Sequence, residues 1–208
     1  ACKSIILLKN ENSLLPLKKD IKSVVIIGPN AASTRNLLGD YSYTAHLSCR
    51  ADALKIVNIF EGIKSKVSRN TTVYYAKGCD ISGRSTEGFA EAVKVTKNSE
   101  VAIIVVGGKS GLSKSDTSGE GRDRANLGLP GVQEELIKKI YNTGIPVVVV
   151  LINGRPLSLN QIPINYNRKP SSYKDYVFTK GEPLFSFGYG LSYTKFEYSD
   201  LIITSKNG

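Results

Sequence analysis

The sequence predicts an α/β fold in which a mostly parallel sheet carries helices on both faces. Two observations lead to this fold class: four short runs rich in β-branched residues, and helical patterns in the segments between them. Continuous apolar runs of this length are typical of strands buried on both faces, and strands that alternate with helices form parallel sheets with right-handed crossovers. The predicted strands are Val24–Gly28, Thr72–Ala76, Val101–Gly107 and Val147–Ile152.

Three helices are predicted between these strands, over residues 53–67, 86–98 and 130–144. In the first, an apolar stripe with helical spacing runs from Ile56 to Val67. In the third, a proline suits the first turn, two glutamates stand near the positive end of the helix, and a glycine ends it. Ligands bind at the carboxyl ends of such parallel strands, so the loops after the four strands are the places to look for chemistry.

The character of the chain changes after Leu159. Residues 1–159 are predicted to form the core of an α/β sandwich domain. Residues 160–208 are rich in Pro, Asn, Gly and Tyr and lack a helical or strand period. We expect this segment to be irregular, and either to pack on the core or to lead into a further β-domain.

Composition excludes several classes of partner. The 208 residues carry a formal net charge of +10, which makes nucleic acid the first partner to consider. The lysines are scattered singly or in pairs without interleaved aromatic residues, so a solvated lysine-rich surface is the preferred interpretation, and no nucleic-acid partner is predicted. No apolar run approaches the roughly 20 residues that cross a bilayer, so no membrane partner is predicted either.

The three cysteines, Cys2, Cys49 and Cys79, have no spacing that suits a metal, and the single histidine, His46, has no partner nearby in the sequence. We therefore predict neither a metal site nor an organic cofactor. An odd number of cysteines argues against a disulfide framework. Together with the absence of a secretory signal in this chain, it favours the cytoplasm over secretion, although localisation stays open.

The segment after the third strand, GGKSGLSKSDTSGEGRDRANLGLPG over residues 107–131, is the most informative loop. It is far longer than the two to six residues usual between a strand and a helix, and function is the commonest reason for such a length. Glu120 stands between two glycines, which leave its backbone free to project and its carboxylate unshielded. The charged residues of the second half of the loop are Asp116, Glu120, Arg122, Asp123 and Arg124. Asp123 can cap the following helix, and Arg124 can pair with a carboxylate.

The glycine-rich segments have other interpretations. The loop can be a mobile polar connection whose charges are incidental, and composition alone does not decide against this. A phosphate-binding loop is disfavoured because Lys109 and the helix start stand in the wrong order for GxxxxGK[ST]. The segment after Gly28 lacks GxGxxG, so a dinucleotide site is disfavoured as well.

The string TSGEGRDRANLGLPGVQEELI resembles the corresponding segment in the second domain of glycoside hydrolase family 3. Further similar stretches follow in the same order: SIILLKNENSLLPL, VVIIGPNA, LLGDYSY, VVVVLINGRPLSL and FGYGLSYTKFEYSDL. The resemblance covers nearly the whole chain. It implies the C-terminal α/β sandwich, of (α/β)6 type, of a retaining β-glucosidase or β-xylosidase. In the family's two-domain members a (β/α)8 barrel supplies an aspartate nucleophile.

Carried onto this sequence, the family's general acid/base falls on Glu120. The resemblance implies a β-linked oligosaccharide or aryl glycoside as substrate, and as partner a barrel on the same polypeptide or on a companion chain. Retaining glycosidases need two carboxyl groups about 5–5.5 Å apart, and this chain is expected to contribute one of them. The resemblance assigns substrate binding or support of the loop to Lys109, Ser110, Asp116, Arg122, Asp123 and Arg124.

Two features depart from the family pattern. Gly108 stands where many relatives have glutamate, and Leu159 runs straight into Asn160 where members continue for several dozen residues. Either that stretch has been left out of this sequence or the protein is a truncated homologue; we favour the first. The alternative function is a non-catalytic carbohydrate-binding or assembly domain in which Glu120 is a relic.

Overall fold

A computed structural model of the chain describes residues 4–42 and 55–155, together with 157, 185, 188–194 and 199. The chain divides into two compact units, Leu17–Lys169 and the pair of segments Ala1–Pro16 and Pro170–Gly208. Residues 158–184 lie outside the described part, so the predicted boundary at residue 159 stays a prediction.

The larger unit contains a four-stranded, fully parallel sheet. Its strands are β1 (Ser23–Ile27), β2 (Thr72–Ala76), β3 (Val101–Gly107) and β4 (Val147–Ile152), in the order β2-β1-β3-β4. In the register, Val25 lies opposite Tyr74 of β2 and Ala102 of β3. The predicted α/β fold class and all four strand positions are confirmed.

The strands differ in burial because of this order. The central strand β3 is buried along its whole length, and β1 is buried from Val24 to Ile27. Every residue of β4 is only partly buried, and Thr72 and Tyr75 of β2 are exposed. The prediction that all four strands are buried on both faces is therefore wrong for β2 and β4, since each has a single neighbouring strand within the described residues.

The helices are α1 (Ile59–Lys64), α2 (Phe89–Lys97) and α3 (Gln133–Tyr141). The first is shorter than predicted, because the side chain of Asn58 accepts a hydrogen bond from the Glu61 amide at 2.8 Å and caps the helix there. Ile56 consequently lies before the helix, and Val67 lies beyond its last residue, Lys64. Residues 53 and 54 lie outside the described residues.

The third helix begins at Gln133, so Pro130 lies in the turn before it rather than in its first turn. The helix ends near Gly144, as predicted. The φ angle of this glycine is +77°, and its amide donates to the Tyr141 carbonyl at 3.1 Å.

Helices cover both faces of the sheet, as predicted. On one face α2 and α3 pack against alternate residues of β1 and β3, which leaves Leu136, Ile137 and Ile140 almost fully buried. On the other face the intervening residues of β1 and β3 contact partly buried side chains of α1 and of the segment before β1. A two-sided apolar sandwich of this kind holds the carboxyl ends of β1 and β3 rigidly side by side.

The smaller unit is described at a few residues. Leu7 and Leu191 form an isolated antiparallel bridge, with the Leu191 amide 2.7 Å from the Leu7 carbonyl. The rings of Phe185 and Tyr189 lie 5.1 Å apart between centroids.

Gln133 is a polar residue inside the core, and it fastens the end of β3. Its side chain is fully buried, and its Oε1 accepts from the Gly107 amide at 2.8 Å. Its Nε2 donates to the Gly107 carbonyl at 2.8 Å and to the Ile81 carbonyl at 2.7 Å. One amide side chain thus satisfies three backbone groups, two of them on the buried Gly107, at the point where the chain leaves the sheet for the long loop.

We expect Gln133→Leu to lower the free energy of unfolding by about 3 kcal/mol or more, because each buried backbone group left without a partner costs about 1–3 kcal/mol. Urea unfolding followed by circular dichroism measures this change. Leu136→Met on the same helix is the matched control, and a volume-conserving apolar exchange costs less than about 1.5 kcal/mol. An equal loss in both variants would contradict the role given to the Gln133 amide.

Candidate active site

The site lies where β1 and β3 end, at the carboxyl edge of the sheet. Each strand is followed or ended by a glycine with positive φ, Gly28 at +118° and Gly107 at +129°. A Cβ on Gly28 would stand 2.2 Å from the Val105 carbonyl oxygen, and one on Gly107 would stand 2.0 Å from that of Ile152. Both turns therefore require glycine, and both lead their loops away from the same edge.

The loop after β1 is tied to the loop after β3. The Asn30 side chain, fully buried, donates to the Gly108 carbonyl at 3.3 Å. Asn36 in turn donates to Oδ1 of Asn30 at 2.7 Å. Gly108 thus contributes its backbone to a contact between the two loops.

The base of the long loop is closed by hydrogen bonds between its two sides. The Thr117 amide donates to the Lys109 carbonyl at 2.8 Å, and the Gly111 amide donates to the Ser118 carbonyl at 3.0 Å. The hydroxyl oxygens of Ser110 and Ser118, both residues being buried, are 2.8 Å apart. The predicted site residue Ser110 therefore supports the loop from within.

Lys109 and Asp116 form an ion pair inside this base. Lys109 Nζ lies 2.9 Å from Asp116 Oδ1, and the Asp116 side chain is 2% exposed. Asp116 Oδ2 also accepts from the Ser113 amide at 2.7 Å. Burial favours the neutral form of this carboxyl, but the hydrogen bonds from Lys109 and Ser113 outweigh burial and hold the pKa of Asp116 below its usual value.

Glu120 lies at the tip of the loop, and its side chain is exposed. The glycines on either side both have positive φ, +126° at Gly119 and +64° at Gly121. The Glu120 amide donates to Oδ2 of Asp40 at 2.9 Å, and Asp40 belongs to the loop after β1 and is only 8% exposed. The backbone of Glu120 is therefore anchored, whereas its carboxyl group extends into solvent.

The two arginines of the loop hold backbone carbonyl groups. Arg122 Nη2 donates to Leu112 at 2.6 Å, and Arg124 Nη2 donates to Gly128 at 3.1 Å. Arg155, after β4, donates to the Arg122 carbonyl. Burial and the positive charge of Arg155 lower the pKa of Arg124. Arg124 was expected to pair with a carboxylate; in the structure its guanidinium donates to the Gly128 carbonyl group instead.

Asp123 is exposed beside Glu120. The expectation that it caps the following helix is wrong, because α3 begins only at Gln133, where the N-cap position is Val132 and no side chain caps the helix. Sequence reasoning missed Asp40, Arg155 and Gln133 as parts of the site. A polar residue in line with the buried stripe of α3 was the available signal for Gln133, and an acid in the loop after β1 was the signal for Asp40.

A cavity of about 90 Å³ opens between the loops after β1, β3 and β4, and Asn36, Ser110 and Asn153 are among its lining residues. Sites for small molecules usually enclose about 300–1,000 Å³. This cavity is too small for a sugar ring with its contacts.

Within the described residues no three His, Cys, Asp or Glu side chains come together as a metal-binding group. Nor does that part of the chain contain a helix long and apolar enough to cross a membrane. Cys79 is a buried free thiol, and burial raises its pKa to about 11, so it stays protonated at neutral pH. Cys2, Cys49 and His46 lie outside the described residues.

The glycosyl hydrolase family 3 C-terminal domain matches residues 5–169 of the chain. The chain belongs to glycosyl hydrolase family 3. The resemblance found in the loop motifs is thus confirmed over most of the sequence.

Relatives in the family agree with this placement. A β-xylosidase from Formosa agariphila is 40% identical, with 94% of this chain and 33% of the relative covered. A periplasmic β-glucosidase from Salmonella typhimurium is 28% identical over 99% of this chain and 35% of its own length. The crystal structure of a Listeria innocua β-glucosidase in complex with isofagomine superposes with a TM-score of 0.59 at 27% identity, over 76% of this chain and 20% of the other.

The chain spans about a third of the length of these curated family 3 relatives. The alignment with the Formosa enzyme is 247 residues long although 94% of the 208 residues here is about 196, so about 50 residues of that relative have no counterpart in this sequence. The expectation that family members carry these extra residues between Leu159 and Asn160 stays a prediction.

Gly119 and Gly121 provide a matched pair of substitutions. A Cβ on Gly119 would stand 2.5 Å from the Gly111 carbonyl oxygen, whereas one on Gly121 meets nothing within 4 Å. We expect Gly121→Ala to cost about 1–2 kcal/mol through left-handed strain alone, and Gly119→Ala to cost about 2 kcal/mol more through the clash. Hydrogen–deuterium exchange of the loop amides measures the free energy of local opening, and equal effects would contradict this geometry.

The Asp116 ion pair predicts a pH dependence of stability. The pKa of Asp116 is lower in the folded than in the unfolded state, where it is about 3.9, so its contribution is complete above that value and is lost as the pH falls through the folded-state pKa. Below about pH 4 we expect the free energy of unfolding of Asp116→Asn to fall less steeply with decreasing pH than that of the parent protein. Urea unfolding at a series of pH values measures this change. Asp123→Asn removes an exposed carboxyl from the same loop and is the control; an equal change in both would contradict the assignment.

Proposed function

We propose that this chain contributes the general acid/base of a retaining β-glycosidase, and that Glu120 is that residue. The observation that carries the proposal is the position of Glu120: an exposed carboxyl group on an anchored backbone, at the tip of a stiffened loop at the carboxyl edge of a parallel sheet. Active-site groups of α/β proteins collect at this edge.

The reaction needs a second carboxylate about 5–5.5 Å away that attacks the anomeric carbon, while Glu120 protonates the leaving oxygen. In the second step Glu120 takes a proton from the water that releases the sugar. Asp40 and Asp116 are poor nucleophile candidates, because both are buried and hold loop amides. The nucleophile in this proposal is an aspartate of a (β/α)8 barrel, on the same polypeptide or on a companion chain.

The other residues of the loop divide into two roles in this proposal. Five of them support the loop through the contacts already described, namely Lys109, Ser110, Asp116, Arg122 and Arg124. Asp123 is exposed beside Glu120 and is the one we assign to substrate contact. The exposure of Glu120 supports a site that is completed only when a second domain covers this side chain.

The relatives narrow the substrate class. Their names divide between β-xylosidases and β-glucosidases, and the Formosa relative at 40% identity is a β-xylosidase. We therefore propose β-linked xylosides or glucosides as substrates, with xylosides favoured.

The experiment is Glu120→Ala in the complete polypeptide, with aryl β-xylosides and β-glucosides. We expect turnover of substrates with poor leaving groups to fall by about 10²–10⁴-fold, the usual contribution of a general acid/base. Azide should restore turnover of an activated substrate and give a β-glycosyl azide, since this nucleophile needs no base. Glu87→Ala, an exposed glutamate before α2, is the matched control.

Unchanged turnover in Glu120→Ala, with the substrate still hydrolysed, would overturn the assignment of Glu120. A complete polypeptide without glycosidase activity that still binds β-glycans would favour the non-catalytic alternative instead.

A further inference from the structure

We propose that Asp40 positions Glu120 for proton transfer, an inference that rests on the proposed function of Glu120. The two residues are 80 positions apart in the sequence, yet Asp40 Oδ2 accepts the Glu120 amide at 2.9 Å. The contact joins the loop after β1 to the tip of the loop after β3. Asp40 itself is 8% exposed, so its carboxylate lies inside the protein rather than towards substrate.

The backbone before Glu120 is shaped to receive this carboxylate. A Cβ on Gly119 would stand 3.0 Å from Asp40 Cγ and 3.1 Å from its Oδ2. The carboxylate of Asp40 therefore lies directly against the peptide that leads into Glu120, and a residue with a side chain at position 119 would push it away. A charged acceptor on a backbone amide makes one of the stronger hydrogen bonds in proteins.

Other hydrogen bonds also hold the loop around Glu120. They close its base from Lys109 to Ser118, and the Arg122 amide donates to the Gly119 carbonyl at 3.1 Å, which closes a turn over Glu120. Within this turn Gly119 and Gly121 adopt left-handed φ values, which glycine reaches without strain and therefore leaves easily. The bond to Asp40 ties this turn to the loop after β1, so it fixes the direction in which Glu120 leaves the loop.

Asp40 does not touch the reacting atoms in this proposal. Its replacement should therefore slow substrates that need a proton on the leaving group more than substrates that do not. A proton donor displaced by about 1 Å transfers its proton poorly, which costs on the order of 100-fold. Substrates whose leaving group is already a weak base need no proton in the first step and are spared. General damage to the domain lowers the rates of both kinds of substrate alike.

The experiment compares Asp40→Leu, Asp40→Asn and Asp80→Asn in the complete polypeptide, with Glu120→Ala measured alongside. Asp80 is the control because it is an exposed acid in the loop after β2, paired with Lys77. The readout is kcat/KM for 4-methoxyphenyl and 2,4-dinitrophenyl β-xyloside, which differ in their need for a proton.

For Asp40→Leu we expect kcat/KM to fall about 30–100-fold with the methoxyphenyl substrate and less than about threefold with the dinitrophenyl substrate. Asp40→Asn keeps an acceptor oxygen and should stay within about fivefold for both substrates. Asp80→Asn should match the parent enzyme. If Asp40→Leu does not fold, Asp40→Glu replaces it, since the added methylene displaces the Gly119–Glu120 peptide and predicts the same selective loss.

If Asp40→Leu or Asp40→Glu loses activity equally with both substrates, or loses none, the inference about Asp40 is overturned. A selective loss in Glu120→Ala in the same experiment leaves the proposed function standing. A Glu120→Ala variant without selective loss would overturn the proposed function and this inference with it.

Discussion

The parallel pairing of β1 with β3 is the constraint on which the rest of the structure depends. Both strands are buried from two sides, so neither can shift its register without moving apolar side chains out of two packed layers. Their carboxyl ends consequently meet at one edge, and the glycines that end them send two loops away from it together. Asp40 and Glu120 come within hydrogen-bonding distance because of this pairing, although 80 residues separate them.

Polar groups buried at the same edge convert a glycine-rich segment into an ordered one. The Gln133 amide satisfies three backbone groups, and the Asp116 carboxylate holds both a lysine and a loop amide. Removing the Gln133 amide leaves the buried backbone groups of Gly107 without this partner, and removing Lys109 leaves the buried Asp116 carboxylate without its cation. These contacts therefore hold the loop more firmly than its composition suggests. Around Glu120, the hydrogen bond from the Arg122 amide to the Gly119 carbonyl closes a turn, and the Asp40 carboxylate holds the Glu120 amide.

The sequence predicts the strands well and the site only in part, for physical reasons. Runs such as Val101–Gly107 are too apolar and too β-branched to be anything but buried strands, and their positions follow directly. The burial of β4 was overestimated because the sequence of a single strand does not reveal its place in the sheet. The order of the strands decides which of them lie at the edges. The start of α1 was misjudged because the side chain of Asn58 caps the helix two residues after the apolar stripe begins at Ile56. Among the site residues, Glu120 could be recognised from the glycines beside it in the sequence. Asp40 could not, because its role depends on a contact with a residue 80 positions away.

An incomplete site is a coherent arrangement for this domain. The backbone of Glu120 is held by Asp40, while its side chain is exposed. A general acid exposed to bulk water has no fixed partner, so its orientation needs a second surface that excludes water and brings the attacking carboxylate close. Under the proposed function, the chemistry of this family 3 domain begins only when another domain covers Glu120. In that proposal Asp40 fixes the position and direction of the acid from within this domain, and the covering surface brings the substrate to it.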